Sequence, residues 1–106
     1  MAYIHKNILG SVGLTQLIHS KNSQNVLELV ITNVHNTSNC TIDLLLRGNP
    51  TPTTASKYYI LKNVIIAKGT ALVLDNADIG YDSKVYDLYL TLHRVQDKVD
   101  LKLKTE

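Results

Sequence analysis

Hydrophobic and polar residues alternate most clearly in residues 26–48. Every second position is apolar in both halves of this stretch, and the residues that share these faces are Leu27, Leu29 and Ile31, then Cys40, Ile42, Leu44 and Leu46. A period of two is typical of a pleated strand with one face in a core. Residues 33–39, between the halves, are mostly small, polar or Asx residues, which hydrogen-bond their own backbone and favour a turn. The stretch therefore predicts a β-hairpin.

Shorter alternating segments predict further strands at residues 3–9, 14–19, 57–66, 71–74, 85–93 and 98–104. In the third of these the apolar phase shifts around Lys62 and Asn63, which predicts a bulge or a bend at that point. Residues 20–25 are polar and predict a turn, while residues 49–56 contain two prolines and predict an exposed loop. Residues 75–84 are polar and have room for one helical turn at most.

The pattern as a whole predicts an all-β fold. No long segment keeps a helical period, and the strands recur at intervals of about 8 to 12 residues, which is the spacing of sandwiches and barrels. We predict an antiparallel β-sandwich of about seven strands, Ig-like or jelly-roll-like, with a small closed barrel as the alternative. One core should contain the apolar faces of the three best strands, namely Leu27, Leu29, Ile31, Ile42, Leu44, Leu46, Leu88, Leu90 and Leu92.

Composition agrees with a single small domain. The chain has 106 residues, of which 44% are hydrophobic and 19% charged, as in ordinary folded domains. This length has room for one modest core. We predict one β-sandwich domain over residues 1–106, with residues 1–13 as a candidate N-terminal arm and residues 95–106 as a candidate C-terminal edge strand. Because Phe and Trp are absent, six Tyr supply the only large rings.

Charge and hydropathy exclude several classes of partner. The net charge of +2 is small and the basic residues are scattered, whereas nucleic-acid binding needs them gathered on one face. We therefore expect no sequence-specific nucleic-acid partner. No apolar run is long enough to predict a membrane span, so we expect no membrane partner. The N-terminal residues lack a basic segment followed by a long apolar run, which predicts no signal peptide.

Candidate metal ligands are present but are not arranged as a motif. They are the four histidines His5, His19, His35 and His93, together with Cys40. No pair of these histidines has the short spacing of a preorganised site, and Cys40 lies on the apolar face of its strand, where a small buried hydrophobe is expected. We therefore expect no metal site.

Catalytic patterns are also missing from the sequence. A hydrolase needs a nucleophile beside a base that a carboxylate orients, and no motif of that kind is present. We expect no catalytic residues, no cofactor and no enzymatic activity. The acidic segment with Asp75, Asp78 and Asp82 lacks the alternating ligands and closing Glu of an EF-hand. We expect a solvated turn in which Asp and Asn side chains cap the backbone.

The order of strands and turns resembles that of small structural proteins of tailed bacteriophage virions. The shared layout is a strand that runs into an Asn-rich turn (residues 31–38), a TIDLLL strand (41–46), and a Tyr-Ile-Leu strand that leads through VIIAKGT to a short apolar strand (59–74). A terminal strand rich in Tyr and Leu follows, and the resemblance covers residues 17–92. The chain departs from the family in having SKNSQN where many members carry a Pro-Ala-Gly turn, and in lacking a Gly-Asp pair before the last sandwich strand.

The resemblance implies a structural component of a virion, such as a capsid decoration or cement protein, or a tail, portal-vertex or baseplate accessory. Its partners would be other capsid or tail proteins, in a homo-oligomer or multi-copy assembly. Its location would be the virion, after synthesis in the host cytoplasm. The alternative is a carbohydrate-binding or adhesion module, also a small β-sandwich. Such modules stack sugars on exposed aromatic rings, for which this chain has only tyrosine.

The C-terminal tail is the candidate protein interface. In residues 98–104 apolar residues alternate with charged ones, so one face of the strand is apolar and the other carries three lysines and an aspartate. Lysine is common on exposed sheet edges, where its charge prevents unwanted pairing with other strands. We predict that the tail lies at a sheet edge and contacts a neighbouring chain through Lys98, Val99, Leu101 and Leu103, by addition of a strand. The alternative is an ordinary last strand that completes the chain's own sandwich.

Overall fold

A computed structural model describes residues 2–18, 25–35, 37–48, 57–82 and 86–106 of the chain. Of these residues 69% are in strands, and the all-β prediction is confirmed. The strands are β1 (Ala2–Leu9), β2 (Leu14–Ile18), β3 (Val26–Asn33), β4 (Cys40–Gly48), β5 (Lys57–Ile66), β6 (Ala71–Asp75), β7 (Tyr86–Leu92) and β8 (Lys98–Thr105). A 3-10 helix at Gly10–Val12 and a one-turn helix, α1 (Asn76–Ile79), are the helical segments of the described ranges.

Some of the predicted features cannot be compared with the structure. The predicted turn at residues 20–25, apart from Asn25, and the predicted loop at residues 49–56 lie outside the described residues, as does His19. No helix within the described ranges is long and apolar enough to cross a membrane.

The strands form two antiparallel four-stranded sheets that pack together. Sheet I has the order β1-β8-β3-β6, and sheet II has the order β2-β7-β4-β5. Four pairings are nested in the sequence: β1 with β8, β2 with β7, β3 with β6, and β4 with β5. This nesting arises when one long antiparallel ribbon is rolled around a core, and the pairings of β3 with β8 and of β4 with β7 close the roll. The strand order is that of a jelly roll, one of the two sandwich types that the sequence predicts.

The predicted β-hairpin over residues 26–48 is wrong. β3 lies in sheet I between β8 and β6, whereas β4 lies in sheet II between β7 and β5. The polar residues between them cross from one sheet to the other. Asn33 holds this crossing, because its Nδ2 donates to Ser38 O (3.0 Å) and Ile66 O (2.9 Å) and its Oδ1 accepts from the His35 amide (2.9 Å). Alternation identifies the buried face of a strand but not its hydrogen-bonded neighbour.

The core lies between the inner faces of the two sheets. Eight of the nine residues predicted there are buried, and the exception is Leu27, which is half-buried. The register of β3 against β8 shifts between Val26 and Glu28. Because a bulge sets two residues against one, the inward and outward alternation slips by one position. Val26 is therefore 3% exposed and occupies the place in the core that the pattern assigns to Leu27.

The bulge predicted in β5 is confirmed. The register of β5 against β4 shifts between Ile42 and Leu44, opposite residues 62–63. Asn63 has a φ of +55°, in the left-handed region where Asn is among the better tolerated residues. Its amide donates to Asp43 Oδ1 at 2.7 Å. The break in apolar phase at Lys62 and Asn63 thus corresponds to a real extra residue in the edge strand of sheet II.

The C-terminal strand is central, so the prediction of an edge strand at residues 95–106 is wrong. β8 pairs with β1 from Lys98 opposite Leu9 to Thr105 opposite Ala2, and it pairs with β3 on its other side. Residues 1–13 therefore contain the edge strand β1 rather than a free arm. The lysines of β8 lie on the outer face of sheet I, because an antiparallel sheet can leave one face in water.

Candidate functional site

The residues predicted as a protein interface belong to a strand that is paired on both sides. Val99, Leu101 and Leu103 are 1%, 2% and 0% exposed and pack in the chain's own core. Lys98 is exposed. Because β1 and β3 flank β8, its backbone has no open side that could receive an added strand. In the structure the tail is an ordinary strand of the chain's own sandwich, as in the alternative to the interface prediction.

The histidines of the described residues lie in different surroundings. His5 is exposed on β1, and its ring stacks on Tyr3 with 6.5 Å between the ring centroids. His93 follows β7, and its Nε2 donates to Asp43 Oδ1 at 2.9 Å. His35 lies in the crossing between β3 and β4, close to Cys40. Only His35 is therefore near the cysteine.

Asp43 is a buried carboxylate that connects β5 to the end of β7 through hydrogen bonds. Burial by itself would raise its pKa, but hydrogen bonds from the Asn63 amide and His93 Nε2, with the charges of His93 and Lys62, outweigh burial and lower the pKa below the ordinary value of 3.8. The carboxylate is thus charged at neutral pH. It joins the bulge of β5 to the end of β7, and this arrangement leaves it engaged rather than free for chemistry.

A three-residue cluster lies at one end of the sandwich. His35, Cys40 and Asp97 place their candidate ligand atoms within 4.8 Å of one another. His35 follows β3, Cys40 begins β4 and Asp97 precedes β8, so three separate segments meet there. Cys40 is 0% exposed and Asp97 1%, while His35 is half-buried and lies on the side toward solvent.

Hydrogen bonds to groups outside the cluster hold its side chains. Asp97 Oδ1 accepts from Arg94 Nε (3.0 Å) and lies 2.8 Å from Arg94 Nη2 as an ion pair, and Oδ2 accepts from the Arg94 amide (3.3 Å). His35 Nε2 is 2.9 Å from Gln96 O, and because a carbonyl only accepts, Nε2 carries the proton. Arg94 Nη2 also donates to Asn39 O, which links the turn at residues 93–97 to the crossing.

A close backbone approach positions this turn. The Gly10 amide donates to Asp97 O at 2.7 Å. A Cβ at Gly10 would lie 1.9 Å from Arg94 O, so only glycine fits without movement. The turn that carries Arg94 and Asp97 is therefore docked against the end of β1.

The thiol of the cluster is not an activated nucleophile. Burial raises the pKa of Cys40, and the negative charge of Asp97 raises it further. The Sγ atom lies 3.9 Å from Lys98 O, to which the thiol donates. A catalytic cysteine has a lowered pKa and is accessible, and Cys40 has neither property.

The acidic segment at residues 75–82 was predicted to form a turn in which side chains cap the backbone, and it does so at Asp75 and Asp78. Asp75 Oδ1 accepts from the Asp78 amide (3.1 Å), and Asp78 Oδ2 accepts from the Asp75 amide (3.0 Å). The pair forms a capping box at the N-terminus of α1. The prediction of backbone capping is confirmed for these two residues.

A tyrosine pocket lies at the opposite end of the sandwich from the cluster. It has a volume of about 230 Å³, and its lining residues are Leu46, Tyr58, Gly80, Tyr81, Asp82 and Tyr86. Tyr58 is 65% exposed. The Tyr81 hydroxyl is buried and has no hydrogen-bond partner in the described part of the chain. Burial, and then the charge of Asp87, raises the pKa of Tyr81 to about 12.

The outer face of sheet II carries a row of large side chains, here called the tyrosine row. Leu45 on β4 is paired in register with Tyr59 on β5 and with Tyr89 on β7. Leu45 is only 1% exposed although it points away from the core. Lys62 Nζ lies 4.6 Å from the Tyr59 ring centroid, and the Arg47 guanidinium lies 5.4 Å from that of Tyr89.

Sequence reasoning missed Asp97, Arg94 and Tyr81. The nearest members of the His35, Cys40 and Asp97 cluster are five residues apart in the sequence, and Asp97 comes from a distant turn, so no local spacing could reveal them. Tyr81 lies in a polar segment without alternation, so no pattern in the sequence indicated that its hydroxyl is buried. No protein family, curated protein or solved structure matches this chain.

Proposed function

We propose that the chain is a structural component of a bacteriophage virion, a small sandwich that attaches to capsid or tail proteins by repeated protein–protein contacts. The observation that carries this proposal is the jelly-roll strand order, with its nested pairs and two four-stranded sheets. Viral capsid domains are among the main users of this architecture, and lectins are another. The resemblance of the sequence to small virion proteins favours the first.

The tyrosine row supports a role in protein contacts. Tyr and Arg are enriched at protein interfaces because they bury large areas and keep a polar group for hydrogen bonding. Tyr59 and Ile65, on the outer face of β5, are 37% and 64% exposed. Tyr59 and Tyr89 flank the buried Leu45, the Arg47 guanidinium lies over the Tyr89 ring, and Ile65 lies further along β5 opposite Thr41. Exposed aromatic and aliphatic side chains beside charged ones suit contact with a neighbouring particle protein.

The chemistry of the cluster supports a binding role rather than catalysis. A cysteine, a histidine and an aspartate meet at one place, but the thiol is buried and its pKa is raised. Nucleophilic catalysis requires the reverse. The proposal therefore includes no enzymatic activity.

Quantitative mass spectrometry of purified particles tests the proposal. Particles of the phage that encodes the chain should contain it in many copies, at a constant ratio to the major capsid or tail protein. Absence of the chain from intact particles, with the chain present in the infected cell, would refute the proposal.

A paired set of variants tests the docking surface. We expect Tyr59→Ser combined with Ile65→Ser to reduce incorporation at least severalfold, because the double change removes the exposed Tyr59 and Ile65 side chains from the outer face of β5. Val73→Ser is the matched control, since Val73 is 57% exposed on the outer face of sheet I. Equal incorporation of both variants would place the contact elsewhere, and circular dichroism would show that both are folded.

A carbohydrate-binding module is the second candidate, and the tyrosine pocket favours it. An exposed ring such as Tyr58 can stack on the apolar face of a sugar. The same pocket contains the Asp82 carboxyl and the Tyr81 hydroxyl, which has no hydrogen-bond partner among the described residues. A glycan array should then give signals that Tyr58→Ala abolishes. Tyr3→Ala, at a tyrosine that is 53% exposed on β1, should leave them unchanged. A blank array, or equal loss in both variants, would count against sugar binding.

A further inference from the structure

We propose that His35, Cys40 and Asp97 form a zinc-binding site. This inference is independent of the proposed role in a virion. It reverses the expectation from the sequence, which was that the chain has no metal site. The observation behind it is the convergence of three side chains of three ligand types, from three separate segments, within 4.8 Å.

The ligand chemistry suits zinc. Imidazole nitrogen, thiolate sulfur and carboxylate oxygen are the three donor types that Zn²⁺ binds, at about 2.0–2.3 Å, so two donors on one tetrahedral ion are about 3.3–3.8 Å apart. The candidate ligand atoms of the cluster lie within 4.8 Å of one another, so side-chain movements of about 1 Å would bring them to that spacing. Calcium and magnesium prefer all-oxygen sites, which a histidine and a cysteine do not provide. Three protein donors leave one coordination position for water.

Burial distinguishes this cluster from a chance group of surface residues. The side chain of Asp97 is 0% exposed, and Cys40 is 0% exposed as a residue. A buried carboxylate is costly unless positive charge and hydrogen bonds compensate it. Arg94 supplies one positive charge from the side, and a cation bound between the three donors would supply more. His35 is half-buried and gives the ion a path from solvent.

The hydrogen bonds that His35 and Asp97 form with Gln96 and Arg94 are of the kind that orients metal ligands. In metal sites a ligating histidine donates its other N–H to a carbonyl or carboxylate, and a ligating carboxylate accepts further hydrogen bonds. His35 Nε2 donates to Gln96 O, which leaves the lone pair on Nδ1. Asp97 Oδ1 accepts a hydrogen bond from Arg94 Nε and is paired with Nη2, whereas Oδ2 accepts the longer bond from the Arg94 amide and keeps acceptor capacity.

Metal content and metal-dependent stability test the site. The untagged chain, purified with zinc in the medium and dialysed against metal-free buffer, should retain about one Zn²⁺ per chain. Added Zn²⁺ should raise the Tm of the metal-stripped chain by several degrees, because an ion that binds only the folded state stabilises it. Co²⁺ should give a thiolate-to-cobalt charge-transfer band, which reports bonding to sulfur.

Variants assign the ligands. His35→Ala should lose the retained zinc and the Zn²⁺-dependent rise in Tm, and Cys40→Ser, which is nearly isosteric, should lose the cobalt band. His5→Ala is the matched control, because His5 is exposed on β1 outside the cluster. Substoichiometric metal with no effect of Zn²⁺ on the Tm would overturn the proposal. So would zinc retained equally by His35→Ala and the wild type, since the ion would then be bound elsewhere.

Discussion

At the scale of the residue, buried polar groups hold the connections of this fold in place. Asn33, Asp43 and Asp97 are 0%, 8% and 1% exposed. Asn33 and Asp43 form hydrogen bonds with other segments, and Asp97 is held within its own turn by Arg94. Burying a polar group is costly unless hydrogen bonds replace its water. These three residues therefore specify where the chain crosses, bulges and turns, which apolar packing alone would leave undetermined.

Gly10 is a position of close backbone approach. An added methyl group would lie 1.9 Å from Arg94 O, a main-chain atom that cannot rotate away. We expect Gly10→Ala to lower the free energy of unfolding by about 1–3 kcal/mol, as for other overpacked sites. Urea denaturation measures the loss. Gly80→Ala is the control, because its Cβ would meet Asn76 O at 3.4 Å, and equal losses in the two variants would contradict the steric explanation.

Asp43 should contribute to stability in a pH-dependent way. Its pKa in the folded chain is lowered below 3.8, so the folded state binds its proton less readily than the unfolded state does. The contribution is complete above pH 3.8 and is lost as the pH falls through the folded pKa. We expect thermal melts at decreasing pH below 4 to show a smaller loss of Tm in Asp43→Asn than in the wild type. Parallel losses would mean that the carboxylate is not involved.

At the scale of the element, irregularities of pairing decide which face of a strand is buried. The bulge at the start of β3 buries Val26 and leaves Leu27 half-buried, and the bulge of β5 places Asn63 with a positive φ opposite Asp43. The first was not visible in the alternation, because Val26, Leu27, Leu29 and Val30 are all apolar. The second was visible, because Lys62 and Asn63 interrupt an apolar run.

Substitution of Leu27 and of Leu29 by Ala, one at a time, distinguishes a bulged β3 from a β3 with unbroken alternation. Leu29 is 0% exposed, so Leu29→Ala should lower the free energy of unfolding by about 2–5 kcal/mol. Leu27→Ala should lower it by less than half as much, because Leu27 is half-buried. Denaturant titrations of the two variants measure both values. Equal losses would support unbroken alternation and refute the bulge.

At the scale of the whole molecule, the nested strand order makes the first and last strands neighbours. β8 lies between β1 and β3, and it supplies three buried residues to the core. The fold therefore depends on its C-terminal residues, whose pairing partners include the most distant segment of the chain. A central strand cannot be removed without leaving two unpaired edges and an open core.

Deletion of residues 98–106 tests this dependence. We expect the truncated chain to lose cooperative thermal unfolding and the circular-dichroism spectrum of a β-sheet protein, because sheet I loses its second strand and the core loses Val99, Leu101 and Leu103. Lys102→Ser, on the exposed face of β8, should melt like the wild type. A truncated chain that still melts cooperatively would contradict the central position of β8.

Local patterns of residues were enough to predict the strands, most of their buried faces, the bulge of β5 and the capping turn at Asp75. These features depend on neighbours a few positions apart, where side-chain alternation and local hydrogen bonds act directly. The tertiary structure alone decided that β3 and β4 belong to different sheets, that β8 is central, and that Asp97 meets His35 and Cys40. The physical reason is that an alternating strand offers equivalent hydrogen bonds to many partners. Which partner it takes depends on the packing of the whole chain around one core, and no local pattern records that choice.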